Sequence, residues 1–323
     1  MWSTKIAAGV LAAATLFGAG SAVADYPERP IQMIVPWGAG GGTDAVARIL
    51  ASVIQEDLGQ PVNVVNRTGG SGVVGHSAIA SAAPDGYTIG LATVEITMMH
   101  WQGLTDLTYK DYDIIAIVNQ DAAGIMVSAD SKYTDISALN DAIKSQPAGT
   151  FSASGTGQGG IWHVALAGWM VANGLDAGYV KWVPSEGAAS GITDMVAGGV
   201  DIVTASLPEG SSMIDAGRIV PLATMNTERH PLYPDVPTLK EATGADWNLA
   251  AWRGVFAPKG LPAEVRRKLA AAVEKAFKSE DYQSFMKSRG LGAVWLGETE
   301  AAAFVANSDT SFGTVLKAAG LTK

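Results

Sequence analysis

Residues 37–44, Trp-Gly-Ala-Gly-Gly-Gly-Thr-Asp, form the stretch of this sequence with the clearest capacity for chemistry. They follow an apolar run at residues 31–35 and precede apolar residues at helical spacing, which predicts a strand, a glycine-rich loop and a helix. Thr43 or Asp44 is the expected helix N-cap. Helix-start amides have no partner within the helix, and the dipole is positive there. The run predicts a site for a carboxylate-bearing small molecule, the alternative being a tight turn without a ligand.

Two further glycine-rich loops follow strand-like runs. Residues 69–72 (Gly-Gly-Ser-Gly) come after the strand-like residues 62–65, and residues 154–160 (Ser-Gly-Thr-Gly-Gln-Gly-Gly) come after residues 151–153. One loop of this kind is weak evidence for a site. Three at equivalent places predict a ligand held from two sides by backbone amides.

The sequence gives little support for a nucleotide-binding site, a metal site or a catalytic nucleophile. The segment Gly40-Gly41-Gly42-Thr43-Asp44-Ala45 fits the dinucleotide pattern, but Val65-Asn66-Arg67 ends the next strand without an acid for a ribose hydroxyl. The chain has no P-loop lysine motif, no G-x-S-x-G elbow and no cysteine. Its four histidines, at 76, 100, 163 and 230, lack metal-ligand spacing. We expect no cofactor, no metal site and no catalytic residue.

One enzymatic alternative stays open. A secreted enzyme could use a cleft glutamate and His163 as acid and base, but the sequence offers no nucleophile or metal set to support them. His163 follows the third glycine-rich loop and could instead simply hydrogen-bond a nearby backbone group.

Two series of alternating strands and helices must position the loops. Short connections between them predict an α/β fold with a mostly parallel sheet in each of two lobes and ligands at the carboxyl ends of the strands. We expect a first lobe at residues 25–124 and a second at residues 125–226. Residues 227–323 would return to the first lobe, with C-terminal helices packed on it.

The N-terminus and the overall charge indicate the compartment. Lys5, an apolar run and Ala22-Val23-Ala24 predict a signal peptide over residues 1–24, with export to the periplasm and no membrane insertion. The chain has 22 basic and 31 acidic residues, which disfavours nucleic acid as a partner. A monomer is expected.

Several motifs along the chain carry a resemblance to a known family. They lie in all parts of the mature sequence: Pro36-Trp37-Gly38-Ala39-Gly40-Gly41-Gly42-Thr43-Asp44, Leu58-Gly59-Gln60-Pro61-Val62, Asn66-Arg67-x-Gly-Gly-Ser-Gly, Ala83-Pro84-Asp85-Gly86-Tyr87-Thr88 and Pro234-Asp235-Val236-Pro237-Thr238-Leu239-x-Glu241. The chain resembles the extracytoplasmic substrate-binding subunits of tripartite tricarboxylate transporters, also called the Bug family.

The resemblance implies a two-lobed periplasmic binding protein of the Venus-flytrap type II. Such a protein closes on a small organic acid and delivers it to a membrane permease with one large and one small subunit. A sensing role with a signalling partner would use the same closed surface. Family members hold a carboxylate through main-chain amides and waters at the loops matched by residues 37–44, 69–72 and 154–160.

The loop residues and the polar residues near them form the expected ligand-binding set: Trp37, Gly38, Ala39, Gly40, Gly41, Thr43, Asp44, Gly69, Gly70, Ser71, Thr93, Glu95, Ser154, Thr156, Gly157, His163, Glu186 and Asp201. Glu186 stands where many relatives have a basic residue, and Glu95 stands where many are uncharged. A plain dicarboxylate should not rest against these glutamates. The ligand could carry a cation, a metal could intervene, or the glutamates could point away into ordinary hydrogen bonds, which we favour.

Overall fold

The computed structural model describes residues 26–323. The predicted signal peptide, residues 1–24, lies outside the described residues. Eleven strands in the described part of the chain form two sheets, one in each lobe. The six-stranded sheet has the order β11-β4-β10-β3-β1-β2 and is built from β1 (Ile31–Val35), β2 (Val62–Asn66), β3 (Thr88–Thr93), β4 (Tyr112–Ala122), β10 (Ala250–Pro258) and β11 (Ala293–Leu296).

The second sheet belongs to the other lobe and has the order β7-β6-β8-β5-β9. Its five strands are β5 (Gly124–Ser128), β6 (Ser152–Ser154), β7 (Lys181–Trp182), β8 (Ile202–Ala205) and β9 (Ile219–Thr224). The two-lobed α/β architecture predicted from the sequence is confirmed.

Each sheet is mixed, which differs from the mostly parallel arrangement expected. β1 pairs in parallel with β2 and β3, whereas β10 pairs antiparallel with both β3 and β4. In the second sheet β6 pairs in parallel with β7 and β8, but β5 is antiparallel to β8 and β9. β4, β5 and β10 carry the chain between the lobes and are not joined by the βαβ crossovers that impose parallel pairing.

Helices cover both sheets. Ten α-helices occur among residues 26–323: α1 (Gly42–Leu58), α2 (Val73–Ala80), α3 (Ile136–Ser145), α4 (Ile161–Ala172), α5 (Ala188–Val196), α6 (Ser211–Asp215), α7 (Leu239–Thr243), α8 (Ala263–Lys278), α9 (Glu280–Arg289) and α10 (Glu298–Ala318). The apolar stripe of α1 packs with α8 and α9 against one face of the first sheet, where Val46, Leu50 and Val273 are fully buried. α10 contacts β4 and covers the other face. The C-terminal helices therefore pack on the first lobe, as predicted.

The chain passes between the lobes at a small backbone junction. Ala123 separates β4 from β5, and its N–H donates to the carbonyl of Leu249 at 2.8 Å. The N–H of Met225 donates to Ala123 at 2.7 Å, and the N–H of Leu249 donates to Met225 at 3.1 Å. Between these last two residues, α7 contacts α3 and β9. The strand that re-enters the first sheet begins at Ala250.

The start of α1 differs from the sequence prediction. Its N-cap is Gly41, which supplies no side-chain cap, and the helix begins at Gly42. Thr43 and Asp44 therefore lie in the first turn. Each has another partner there, because the Thr43 hydroxyl accepts from Arg253 and the Asp44 carboxylate accepts from the Gly40 N–H. The first amide of α1 is thus left for an acceptor from elsewhere in the molecule.

Candidate functional site

A small pocket lies between the two lobes, next to the loops that follow β1, β3, β6 and β8. Its volume is about 30 Å³. The lining combines glycine backbone, three tryptophans, hydroxyl groups and a few charged side chains: Trp37, Gly38, Gly41, Gly42, Thr43, Thr93, Glu95, Thr156, Ile161, Trp162, Gly187, Ala188, Glu209, Ala251, Trp252 and Arg253. Ligands of open α/β sheets occupy this end of the strands.

Arg253 on β10 is the charged centre of the pocket wall. Its side chain is 3% exposed. Nε donates to Thr43 Oγ1 at 2.9 Å, and Nη1 donates to Asn119 Oδ1 and Asp121 Oδ2, each at 2.6 Å. Nη2 donates to Glu209 Oε1 at 3.1 Å. Two carboxylates therefore pair with one guanidinium, and a buried charge requires such partners.

Glu209 links the two lobes. It follows β8 in the second lobe, and its Oε1 accepts from the Gly42 N–H, the first amide of α1 in the first lobe, at 3.0 Å. Oε2 accepts from the Ser206 N–H and hydroxyl. A side chain on Gly42 would leave no room for this contact, because its Cβ would lie 2.7 Å from Arg253 Nη2 and 2.8 Å from Glu209 Oε1.

Glu95 makes the corresponding contact in the opposite direction. It follows β3 in the first lobe and is 2% exposed. Its Oε1 accepts from the Ile161 N–H, the first amide of α4 in the second lobe, at 2.9 Å. Oε2 accepts from the Thr93 hydroxyl. Burial raises the pKa of Glu95, and the hydrogen bonds from Thr93 and Ile161 oppose the rise.

A hydrogen-bonded chain holds Thr93 in place behind Glu95. The Thr93 hydroxyl accepts from Trp37 Nε1 at 3.1 Å, and the Thr93 N–H donates to His76 Nε2 at 3.1 Å. His76 Nδ1 lies 2.8 Å from the carbonyl of Gly72, so it carries the proton. Burial lowers the pKa of His76 to about 4. His76 is therefore a neutral, structural group that orients the pocket wall.

The start of α5 has a different character. Its N-cap is Gly187, which provides no side-chain cap, and Gly187 and Ala188 both line the pocket. Thr156 lines the same pocket and is 3% exposed. Its hydroxyl has no hydrogen-bond partner among the described residues. Uncapped helix-start amides and an unused buried hydroxyl in one pocket are donors for an anion.

An outer groove continues from the pocket towards the solvent and shares Trp37 with it. Its lining includes Gly69, Gly70, Ser71, Gly157 and Glu186 from the predicted set. The loops touch here, since a Cβ on Gly157 would lie 2.5 Å from Ser71 Oγ. Glu186 is exposed, and its Oε1 accepts from the Thr68 hydroxyl at 3.2 Å. Its backbone carbonyl accepts from the Gly38 N–H at 2.9 Å.

Of the predicted residues, Trp37, Gly38, Gly41, Thr43, Thr93, Glu95 and Thr156 therefore line the inner pocket. Six others line neither space: Ala39, Gly40, Asp44, Ser154, His163 and Asp201.

Asp44 and Asp201 make structural contacts instead. Burial alone would raise the pKa of Asp44, but hydrogen bonds from Arg48, Gly40 and Asn66 lower it. Asp201 precedes β8 and accepts from the Ser152 N–H and hydroxyl, each at 2.8 Å. It lies at the amino end of the strand, and the pocket lies at the carboxyl end.

The remaining four residues sit behind or outside the pocket. Ala39 and Gly40 are exposed, and Ser154 is buried without a partner for its hydroxyl. His163 Nδ1 accepts from the Gly159 N–H at 3.0 Å, and its ring packs at a tilt against Trp182 with 4.8 Å between centroids. Burial lowers the pKa of His163 to about 4.

Sequence reasoning missed Arg253 and Trp252 and did not include Glu209 in the expected site. Arg253 interrupts the apolar run Leu249-Ala250-Ala251-Trp252-Arg253-Gly254-Val255-Phe256, which forms β10. A lone arginine inside a strand that is otherwise buried is a usable signal, since such a charge needs partners. Glu209 was visible only as an acid just past a strand end.

Metal-binding clusters and membrane-spanning helices are both absent from residues 26–323. No group of three or more metal-binding side chains is present among these residues. Within the same range, no helix has both the length and the hydropathy needed to cross a membrane.

Comparisons with known proteins agree with the fold. The chain matches the sequence profile described as "Tripartite tricarboxylate transporter family receptor" over residues 46–321. It is 33% identical over 269 residues to a UPF0065 protein from a Pseudomonas species, covering 82% of this chain and 79% of that protein.

Protein BugT of Bordetella pertussis is 28% identical over 299 residues, which cover 91% of this chain and 90% of BugT. The solved structure of the periplasmic binding protein BugD superposes with a TM-score of 0.85 and 29% identity, covering 92% of this chain and all of that one (100%). On these findings, and on its two-lobed fold with an interlobe pocket, the chain belongs to the receptors of the tripartite tricarboxylate transporter family.

Proposed function

We propose that this protein is a non-catalytic receptor that binds a small organic acid in the inner pocket and delivers it to a membrane permease. The observation that carries the proposal is that Ala188, the first residue of the uncapped helix α5, and Thr156, whose buried hydroxyl is unused, both line this pocket. Backbone N–H groups at a helix start and a neighbouring hydroxyl are donors suited to a carboxylate.

The shape of the pocket supports a clamp. A volume of about 30 Å³ holds only about two water molecules. The glutamate contacts to Gly42 and Ile161 join the two lobes on either side of it. A small acid needs more room than this, so it can enter only when the lobes separate. By contacting both lobes, a bound acid would then favour a closed form that is wider than the one described.

The cellular role follows from family membership and from the N-terminal sequence. Residues 1–24 have the pattern of a signal peptide, so we place the protein in the periplasm. There it would act as a monomer whose closed form docks on the permease subunits. The described residues that line the inner pocket include no activated nucleophile and no histidine, which supports binding without turnover.

Titration calorimetry with a panel of small acids tests the proposal. The purified mature protein is titrated with mono-, di- and tricarboxylates, hydroxy acids and amino acids. Saturable binding of one molecule per chain is expected for at least one acid, and the recovered ligand should be chemically unchanged. Absence of binding across the panel, or conversion of a bound acid, contradicts the proposal.

A further inference from the structure

Two of the three helices that start at the pocket already have an acceptor at their first amide. The Gly42 amide of α1 donates to Glu209, and the Ile161 amide of α4 donates to Glu95. In each case the carboxylate comes from the opposite lobe. A ligand carboxylate would otherwise bind at these helix starts. In this protein its own glutamates already occupy both positions.

Arg253 has little left to offer a ligand. A guanidinium carries five N–H donors. One is used by Thr43, two by Asn119 and Asp121, and one by Glu209. Only one N–H, on Nη2, has no hydrogen-bond partner among the described residues. The bidentate clamp that arginine gives to a free carboxylate is therefore not available here.

The start of α5 is the exception among the three helices. No described side chain caps it, and Thr156, which lines the same pocket, has a buried hydroxyl without a partner in residues 26–323. The pocket therefore offers one place for a carboxylate. The charged groups elsewhere on its lining are two carboxylates, Glu95 and Glu209, and one arginine that is already paired.

We propose that the receptor selects an acid with one carboxylate and a cationic amino group, and that Glu95 and Glu209 discriminate against di- and tricarboxylates. This inference rests on the proposed function and names its ligand class. The ligand carboxylate binds the start of α5 and Thr156, and the ammonium group faces the glutamate oxygens. A second carboxylate would have to displace a protein carboxylate from a helix start or lie beside it, and like charges in a buried site repel.

Calorimetry with probes of equal chain length tests the selection. The four-carbon set is 4-aminobutanoate, 2-aminobutanoate, succinate and butanoate, and the five-carbon set is 5-aminopentanoate, 2-aminopentanoate, glutarate and pentanoate. In at least one set, we expect an amino acid to bind the unmodified protein about tenfold more tightly than the matching dicarboxylate, because binding energy then comes from opposite charges.

Two variants assign the effect to the glutamates. Glu209→Gln and Glu95→Gln each retain an oxygen that can accept from the helix-start amide, and each removes one charge. Both should reduce the amino acid preference over the dicarboxylate several-fold. Glu56→Gln removes an exposed charge from α1 and serves as the matched control, with the preference unchanged.

The possible results distinguish an error in the ligand class from an error in the proposed carboxylate receptor. A dicarboxylate that binds as tightly as its amino counterpart in both sets overturns this inference and leaves the carboxylate receptor in place. No binding of any probe overturns both. The ranking in the unmodified protein decides the ligand class even if a variant fails to fold. An equal change in Glu56→Gln would overturn the assignment to Glu95 and Glu209.

Discussion

Glu209 in the second lobe accepts a hydrogen bond from the amide of Gly42, the first residue of α1 in the first lobe, at 3.0 Å. Glu95 and Ile161 repeat this relationship with the lobes exchanged, at 2.9 Å. Each lobe thus caps a helix of the other. These contacts stabilise the closed arrangement and shape the pocket between them, because carboxylates are favourable at helix starts.

Gly42→Ala should shift the protein towards an open form. The added Cβ would lie under 3 Å from Arg253 and Glu209, and relieving such overpacking costs about 1–3 kcal/mol. Relief requires the Arg253 guanidinium and the paired Glu209 carboxylate to move away together, which breaks the contact between Glu209 and α1. Small-angle scattering should show a larger radius of gyration. Gly41→Ala is the control for compactness, because its Cβ would lie 3.7 Å from the nearest atom; equal radii for both variants would count against this role of Glu209.

Arg253→Met should strongly destabilise the fold. It leaves the carboxylates of Asp121 and Glu209 buried without their cation, and breaking a buried pair costs about 3–5 kcal/mol. Urea unfolding measures the loss of free energy. Arg229→Met is the control, because Arg229 pairs with Glu241 on the surface and such pairs contribute about 0–1 kcal/mol. Similar losses of unfolding free energy in the two variants would contradict the claim that the buried ion pairs of Arg253 stabilise the fold.

His76 should make stability fall in acid. Its pKa is lowered to about 4 in the folded protein, from 6.5. Between these pH values the unfolded chain binds a proton that the folded protein does not, so stability decreases as pH falls from 6.5 towards 4. The full effect is about 3 kcal/mol. Urea unfolding at pH 7 and at pH 4.5 should show a smaller decrease in His76→Gln than in the unmodified protein, and equal decreases would refute the assignment.

Thr156→Val should weaken acid binding without harming the fold. The hydroxyl has no partner among the described residues, and valine preserves the shape of the side chain. A hydrogen bond to a charged group contributes about 1.5–3 kcal/mol, so the dissociation constant of any acid found by the panel should rise about ten- to a hundredfold. Thr193→Val, at an exposed position of α5, is the control. Unchanged affinity in Thr156→Val would mean that the ligand carboxylate does not bind at Thr156.

The local pattern predicted many elements well. β1 matches the expected residues 31–35, because an apolar run that Pro30 and Pro36 flank defines it. Such features depend on neighbouring residues in the chain.

Features that depend on long-range pairing were missed. β10 reads as an ordinary apolar run, and its place between β3 and β4 arises only from tertiary pairing. The same is true of Arg253, whose partners Asp121 and Glu209 lie 132 and 44 residues away. Glu186 was predicted as a ligand-binding residue from its sequence position. Its exposed side chain instead accepts a hydrogen bond from Thr68 at the outer groove. The charge that faces the pocket comes from Glu209 instead.

Binding by the Ala188→Pro variant tests the central claim most directly, that an acid is held at the start of α5. Proline is well tolerated at the first position of a helix, and it removes only the N–H that would face the ligand. Unmodified protein and variant are incubated with the same mixture of small acids and compared by native mass spectrometry. We predict one small-acid adduct per chain in the unmodified protein and none in a folded Ala188→Pro variant. An adduct of equal abundance in both, or none in either, would contradict the account.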